Sequence, residues 1–125
     1  DYSFGTIGNL TNSLKNDGEI FLFGHGHVRR TFTHVEDLIN QIIITTQKEG
    51  SKNQIFNIFG ENYSLMEVST MLCNKFGGKI NLIPWPADDQ KLESGSTIFD
   101  ASKIIKLSKY KMKYSMSDWI DSLDL

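Results

Sequence analysis

Apolar residues recur at helical spacing in three stretches of the chain and predict three amphipathic helices. The first helix carries an apolar face made of Ile7, Leu10 and Leu14. The second ends near Gly50, and its predicted core-facing side consists of Val35, Leu38, Ile39, Ile42 and Ile43. The third stops at Gly77, since glycine commonly ends helices, and its apolar face consists of Leu65, Val68, Leu72 and Phe76.

Short apolar runs between these helices predict buried strands at residues 19–23, 54–59 and 79–83. Gly24 ends the first run, and Pro84-Trp85-Pro86 breaks the third. Because side chains alternate along a strand, we expect Phe21 or Phe23 to belong to the core.

Polar residues at the expected helix starts indicate N-terminal caps. Three pairs have capping-box spacing: Thr33 with Glu36, Ser64 with Glu67, and Ser115 with Asp118. Asp100 is predicted to cap a short helix through Leu107, and the last pair opens a helix with Trp119, Ile120 and Leu123. A polar loop is predicted at residues 87–96. Helices and strands therefore alternate, which predicts an α/β fold.

Composition limits the classes of function. At 125 residues the chain has the length of one domain. Its 13 lysines and arginines against 15 acidic residues give a net charge of -2, which argues against broad nucleic-acid or anionic-membrane binding. Cys73 is the single cysteine and no apolar run approaches the ~20 residues of a membrane span, so we expect a cytoplasmic protein. The start at Asp1, without an initiator methionine, predicts a segment of a longer protein.

Residues 24–37 concentrate the candidate chemistry. Gly24 and Gly26 predict a tight turn, because glycine tolerates positive φ. The turn leads to Arg29 and Arg30, whose planar guanidinium groups suit phosphate or carboxylate partners. A helix N-terminus, which attracts anions, follows at once. The segment therefore predicts a site for a phosphate-bearing ligand.

Motifs in order along the whole chain point to a family. They are Phe21-x-Phe23-Gly24-x-Gly26, Arg30-x-Phe32, His34-Val35-x-Asp37, Phe56-Asn57-Ile58-Phe59-Gly60, Ser64-Leu65-Met66-Glu67, Asp100-Ala101-Ser102-Lys103 and Tyr114-Ser115-Met116. This series resembles the extended short-chain dehydrogenase/reductase superfamily of nucleotide-sugar epimerases and 4,6-dehydratases. The resemblance covers residues 1–125 but only the C-terminal part of such an enzyme. It implies an α/β fold that forms the small C-terminal substrate-binding portion of an extended Rossmann-type protein.

The resemblance also implies roles for four residues. Arg30 matches the arginine that grips the diphosphate of the nucleotide sugar, and a bidentate guanidinium suits that task. Asn57 matches an asparagine near the phosphate and ribose, and Phe23 matches the segment that lines the base pocket. Lys91 is the one cation between Pro84 and Asp100, where the family carries a second substrate arginine, and can substitute as a point charge.

Other interpretations of these residues stay open. Arg30 can be a surface arginine paired with Glu36 or Asp37, and Asn57 can bond its own backbone at a strand end. Arg29 is expected to be a solvated neighbour. The family pattern also breaks at His25 and Thr31, where it carries aspartates.

Two further sets of residues are less informative. The residue types His25, His27 and His34 with Asp37 are those of a zinc site, but a solvated loop without a metal is favoured. Cys73 lies inside a predicted amphipathic helix, where free cysteine behaves as a small hydrophobe rather than a nucleophile.

The family's NAD-binding turn, Gly-x-x-Gly-x-x-Gly, and its catalytic Tyr-x-x-x-Lys pair are not found. Gly5-Thr6-Ile7-Gly8 has the first two glycines only, and four residues before Gly5 are too few for the strand that such a turn needs. Tyr110 is followed four residues later by Tyr114 rather than lysine. The resemblance therefore implies that NAD is bound by an N-terminal domain outside this chain.

The favoured function is the substrate-binding part of an NAD-dependent nucleotide-sugar epimerase, an isomerase, or 4,6-dehydratase, a lyase. By resemblance, the missing domain removes a hydride from the sugar C4 to NAD and later returns it, and this fragment alone is inactive. The alternative is a stand-alone binding module without catalysis. Implied partners are a nucleotide diphosphate sugar and the protein's own N-terminal domain. The family's dimer helices lie upstream, so a homodimer stays open.

Overall fold

Helices and short strands alternate along residues 5–125, the residues that the computed structural model describes. The helices are α1 (Gly5–Asp17), α2 (Val35–Thr46), α3 (Leu65–Phe76), α4 (Ala87–Leu92), α5 (Ser102–Ser108) and α6 (Met116–Ser122), with a 3₁₀ turn at Glu49–Ser51. The strands are β1 (Glu19–Phe23), β2 (Arg29–Phe32), β3 (Glu61–Ser64) and β4 (Lys79–Ile83). This order confirms the predicted α/β class. None of the helices within residues 5–125 has the length and apolar character needed to cross a membrane.

The strands form two separate pairs. β1 and β4 run parallel, with Ile20 opposite Ile80, which confirms the strands predicted at both positions. β2 and β3 run antiparallel, with Arg30 opposite Tyr63. Since α3 begins where β3 ends and packs against β1, the two pairs are held side by side. This arrangement brings the end of β1 close to the strand that carries the arginines.

The hydrophobic core lies between α1, β1, α3 and α6. Its buried residues are Leu10, Leu14, Ile20, Leu22, Val68, Leu72, Met116, Ile120 and Leu123. Each fully buried side chain of this size stabilises the fold by roughly 1.5–3 kcal/mol. The predicted apolar faces of α1 and α3 are confirmed, because their remaining members pack against this core: Ile7, Leu65 and Phe76.

Two of the predicted capping boxes are confirmed. At the start of α3, Ser64 Oγ accepts a hydrogen bond from Glu67 N at 3.1 Å, while Glu67 Oε2 accepts one from Ser64 N at 2.6 Å. Ser115 and Asp118 make the same reciprocal pair at the start of α6. The predicted Asp100 cap is one residue too early, because the N-cap of α5 is Ala101, although the Asp100 carboxylate accepts from Ser102 N at 2.8 Å. These starts are specified by residues a few positions apart, which is why sequence spacing finds them.

The predicted cap of α2 is wrong. His34 is the N-cap residue, and its Nδ1 accepts a hydrogen bond from Glu36 N at 3.2 Å. Thr33 instead donates its hydroxyl to Phe59 O, also at 3.2 Å. The threonine is therefore used for a contact with a distant segment and not for the helix start.

The predicted core-facing side of α2 is also wrong. Its apolar residues are exposed: Val35 at 60%, Ile39 at 49%, Ile42 at 46% and Ile43 at 48%, and Leu38 is half-buried. The buried face of α2 is polar and consists of Asp37, Gln41 and Thr45. The periodicity correctly identifies a helix with an apolar stripe, but no segment of residues 5–125 covers that stripe.

The strand predicted at residues 54–59 does not form. The backbone there has no strand partner among the described residues, and Ile55 is 87% exposed. Gln41 is a buried anchor of this segment, because its amide accepts from Phe59 N at 2.8 Å and donates to Phe59 O at 2.9 Å. A buried side-chain amide thus replaces the pairing that a neighbouring strand would supply.

The expectation that Phe21 or Phe23 is a core residue is wrong. Phe21 is 48% exposed and Phe23 is 38% exposed, whereas Ile20 and Leu22 are buried. Residues two apart on a strand share a face, so both phenylalanines lie on the side of β1 that faces away from the core.

Candidate functional site

A tight turn joins β1 to the arginine-bearing strand, as the sequence predicts. Gly24 and Gly26 have φ of 61° and 65°, values that favour glycine. A Cβ at Gly26 would lie 2.8 Å from Leu22 Cδ1, so there is no room for a side chain. The turn is fixed by hydrogen bonds from Gly24 N to Ile83 O at 2.8 Å and from Met66 N to Gly26 O at 3.0 Å. Its path into β2 is therefore rigidly set.

The guanidinium of Arg30 is held by a segment that follows α4. Its Nη2 donates to Glu93 Oε1 at 3.0 Å, and its Nη1 donates to Gly95 O at 2.7 Å and to Arg29 O at 3.0 Å. The alternative pairing with Glu36 or Asp37 is wrong, because the partner is Glu93. The Arg30 side chain is 30% exposed, so one side of it is accessible.

Arg29 is not simply solvated, although the sequence suggests this. Its Nη1 makes an ion pair with Glu67 Oε2 at 3.0 Å, and its Nη2 donates to Asn62 O at 2.8 Å. The pKa of Glu67 is lowered by the hydrogen bond from the Ser64 backbone and further by Arg29. Because neighbouring residues on a strand point to opposite faces, the side chains of Arg29 and Arg30 lie on opposite faces of β2 and contact different residues.

Phe23 lies beside an aromatic partner that sequence reasoning missed. The rings of Phe23 and Trp85 have centroids 4.9 Å apart and an interplanar angle of 31°. Trp85 also covers the turn, since a Cβ at Gly24 would lie 2.9 Å from its Nε1. The sequence Pro84-Trp85-Pro86 indicates only where a strand ends. It does not show which ring the tryptophan contacts, because that partner lies far away in the chain. Together the exposed Phe23 ring and the half-buried Trp85 ring form an aromatic surface at the end of β1.

Asn57 and Lys91 lie on other elements. Asn57 is exposed and donates through Nδ2 to Asp100 O at 3.0 Å, instead of bonding its own backbone. Lys91 belongs to α4, a short helix within the predicted polar loop, and pairs with Asp88 at 3.2 Å with 75% of its side chain exposed. Of the four predicted residues, Arg30 and Lys91 are therefore connected, because the segment that carries Lys91 also carries Glu93, the partner of Arg30. The substrate-binding role of all four stays a prediction.

The histidines do not gather around one point. The rings of His25 and His27 stack at 5.4 Å, while His34 stacks on Tyr114 at 4.2 Å. No group of three or more metal-ligating side chains is found within residues 5–125. Cys73 is half-buried, and burial raises the pKa of its thiol, which disfavours the reactive thiolate.

The Asp37 carboxylate has three hydrogen-bond donors, none of which is predictable from the sequence because they lie more than 70 residues away. It is fully buried and accepts from Tyr110 OH at 2.6 Å, Lys113 N at 3.0 Å and Tyr114 N at 3.0 Å. Burial alone would raise the pKa of Asp37, but these hydrogen bonds bring it below the ordinary value. Asp37 thus joins α2 to the segment that precedes α6 and has a structural role.

A cavity of about 310 Å³ lies at the N-terminal end of α2, but Arg30 does not line it. Its walls are mostly apolar and include Phe32, Val35, Met116 and Trp119. The candidate residues therefore lie outside this cavity: Arg30 on β2, and the Phe23–Trp85 rings at the end of β1.

The residues present do not fit a dinucleotide. Gly5 begins α1 and Gly8 is buried within it, and β1 follows α1 rather than leading into it. The four residues before Gly5, which are too few for the strand that an NAD-binding turn needs, lie outside the described residues. A phosphate-binding turn needs a strand, a glycine turn and a helix in that order. Residues 5–125 do not supply this order, so we derive no step through NAD from them.

The fold matches solved structures of nucleotide-sugar enzymes. UDP-glucuronic acid 4-epimerase from Bacillus cereus, in complex with UDP-glucuronic acid and NAD, matches with a TM-score of 0.78 and 24% identity over 96% of this chain and 38% of that one. UDP-glucose 4-epimerase from Thermotoga maritima, with UDP-glucose, matches with a TM-score of 0.77 and 19% identity over 96% and 38%. dTDP-glucose 4,6-dehydratase from Bacillus anthracis, with NAD, matches with a TM-score of 0.70 and 18% identity over 92% and 36%.

These matches define an α/β portion of the Rossmann-type epimerase fold, and the chain spans about 38% of the length of the first of these structures. A sequence model of the NAD dependent epimerase/dehydratase family matches residues 4–58. The predicted resemblance to the extended short-chain dehydrogenase/reductase epimerases and dehydratases is therefore confirmed. No curated protein sequence matches the chain.

Proposed function

We propose that this chain is the C-terminal, substrate-binding portion of an NAD-dependent nucleotide-sugar epimerase or 4,6-dehydratase, in which Arg30 binds the substrate diphosphate. The observation that carries the proposal is the position of Arg30 in a fold that matches, over 96% of the chain, an epimerase in complex with a UDP-sugar. Its guanidinium is partly accessible and already binds a carboxylate, a group that phosphate resembles as an acceptor.

The other candidate residues also suit a nucleotide. The Phe23–Trp85 rings, 4.9 Å apart, offer a flat apolar surface at the end of β1 for a pyrimidine base. Lys91 adds a mobile positive charge from α4, and Asn57 adds an exposed amide for phosphate or ribose oxygens. The catalytic contribution of this portion is positioning, because it holds the nucleotide while the sugar reacts elsewhere. The single cysteine is in keeping with a reducing cytoplasm.

The apolar stripe of α2 is the surface on which we place the NAD-binding part of the same protein. Four of its side chains, Val35, Ile39, Ile42 and Ile43, are each at least 46% exposed. The adjoining residues 54–58 form an extended segment without a strand partner in the described chain. Exposed apolar faces of this kind mark protein contacts. Since the chain spans 38% of the epimerase that it matches, a covering domain from the same polypeptide is the occupant we favour.

Replacing Arg30 with glutamine is expected to weaken UDP binding by roughly 10- to 100-fold, because charge-assisted hydrogen bonds contribute about 1.5–3 kcal/mol. Titration calorimetry of UDP into the 125-residue chain measures this change. Arg29→Gln is the matched control. It removes the same charge from the neighbouring residue, whose side chain pairs with Glu67 instead of Glu93. Equal affinities for the wild type and both variants would refute the assignment of Arg30.

Hydrogen exchange tests the docking surface. In the isolated monomer, the amides of residues 55–58 are expected to exchange rapidly, whereas Phe59 N–H is protected by its bond to Gln41. Strong protection of residues 55–58 in the monomer would contradict docking and favour a stand-alone binding module. Gly-x-x-Gly-x-x-Gly and Tyr-x-x-x-Lys motifs found upstream in the same reading frame would support the enzyme over the stand-alone binding module.

A further inference from the structure

A carboxylate of the protein occupies the position on Arg30 where an anionic ligand would bind. Arg30 Nη2 donates to Glu93 Oε1 at 3.0 Å, and Nη1 donates to Gly95 O at 2.7 Å. Carboxylate and phosphate oxygens are equivalent acceptors for a guanidinium fork. Both terminal nitrogens of the fork are therefore already engaged by residues 93–95 in this structure.

The segment that carries Glu93 is attached to β2 itself. Thr97 N donates to Arg29 O at 3.0 Å, and Arg29 N donates to Ser96 Oγ at the same distance. Glu93 Oε1 also accepts from Gly95 N at 2.9 Å, which folds the carboxylate back toward Arg30. Residues 93–97 therefore lie along β2. The Glu93 carboxylate contacts both Arg30 on the strand and Gly95 within the segment.

The helix ahead of this segment is weakly anchored. None of the residues of α4 is buried, and no side chain caps its N-terminus. Leu92, directly before Glu93, is 83% exposed. Moving α4 therefore costs little apolar burial, and segments of this kind open at low free energy. The Arg30 and Glu93 side chains are 30% and 22% exposed, so an anion from solvent can reach the pair.

We propose that Glu93 is an internal competitor for Arg30: it holds the guanidinium in the ligand-free protein, and a diphosphate displaces it together with residues 93–97. The inference rests on the proposed function of Arg30 and adds the regulation of that site. The competing carboxylate lowers the affinity for diphosphates and keeps the guanidinium in position when no ligand is bound. Displacement frees α4, with Lys91, to move relative to the ligand.

Glu93→Gln is expected to bind UDP roughly two- to five-fold more tightly than the wild type, the range of a partly exposed ion pair. Calorimetry on the 125-residue chain gives the affinities. Asp89→Asn is the matched control, because it removes one negative charge from exposed surface of the same helix and leaves Arg30 paired. We expect its affinity to equal that of the wild type.

Amide exchange at Gly95, read by NMR, tests displacement directly. UDP is expected to raise the Gly95 exchange rate in the wild type, because the amide loses its Glu93 acceptor, whereas uridine, which has no phosphate, leaves the rate unchanged. In Glu93→Ala, which has no side-chain acceptor, the rate is expected to be raised before UDP is added.

The outcomes separate the two proposals. Binding that is lost in Arg30→Gln but equal in Glu93→Gln and Asp89→Asn would overturn the competition and leave the function of Arg30 standing. A Gly95 exchange rate that UDP does not change would overturn the displacement. If UDP binds neither the wild type nor any variant, both proposals fail for this chain.

Discussion

Replacing Asp37 with alanine is expected to lower the free energy of unfolding by about 3–5 kcal/mol, the largest effect that we expect from one substitution. The carboxylate is fully buried and accepts three hydrogen bonds, from Tyr110 OH, Lys113 N and Tyr114 N. Alanine leaves these three donors without an acceptor. It also separates α2 from the segment that leads into α6.

Urea denaturation followed by tryptophan fluorescence measures this effect. Glu36→Gln is the matched control, because Glu36 is the neighbouring carboxylate and accepts only from Tyr114 OH at an exposed position. Its expected cost is under about 1 kcal/mol. A loss below 1 kcal/mol in Asp37→Ala would show that the three hydrogen bonds do not hold the C-terminal segment.

The same carboxylate gives a pH dependence of known sign. The pKa of Asp37 in the folded chain lies below its ordinary value of 3.8, because three hydrogen bonds outweigh the opposing effect of burial. A lowered pKa means that the ionised form stabilises the fold above pH 3.8 and that this contribution is lost as the pH falls through the folded-state value. The stability difference between wild type and Asp37→Asn should therefore be constant near neutral pH and shrink only below about pH 4.

Gln41→Ala is expected to cost about 2–4 kcal/mol, the second largest effect, because a buried amide and its two backbone partners lose their hydrogen bonds. The Gln41 side chain is only 1% exposed and pairs with both Phe59 N and Phe59 O. The change also removes much of the volume that fills this position.

Gln41→Met separates hydrogen bonding from volume. Methionine keeps the length of the side chain but cannot pair with Phe59, so we expect it to lose most of what alanine loses. Thermal unfolding and the exchange rate of the Phe59 amide are the measurements. A methionine variant that is as stable as the wild type, with Phe59 still protected, would show that this pairing is dispensable.

The parts of the fold that sequence predicts are those set by neighbouring residues. Ser64 and Glu67 lie three residues apart, and the faces of α1 and α3 repeat every turn. By contrast, β2 and β3 are four residues each and too polar to stand out. The stripe of α2 shows the limit of periodicity, which reveals that a helix face is apolar but not what covers it.

The sequence predicts only those parts of the candidate site that are set by neighbouring residues. Arg30 is identifiable from its motif, and the turn at Gly24 and Gly26 from residue type. The partner of Arg30 is not, because Glu93 lies 63 residues away and a lone glutamate in a polar segment carries no local signal. Trp85 beside Phe23 is a contact of the same kind, set by the pairing of β1 with β4.

The turn between β1 and β2 also has a consequence for how this surface can change. Gly24 and Gly26 are restricted by positive φ and by Trp85 and Leu22, but the His25 side chain between them is exposed. Position 25 thus carries an exposed side chain, stacked on His27, between two glycines whose backbone conformation is restricted. Under the proposed function, we expect a library at position 25 alone to change ligand preference with little loss of stability, which makes it the first position to randomise.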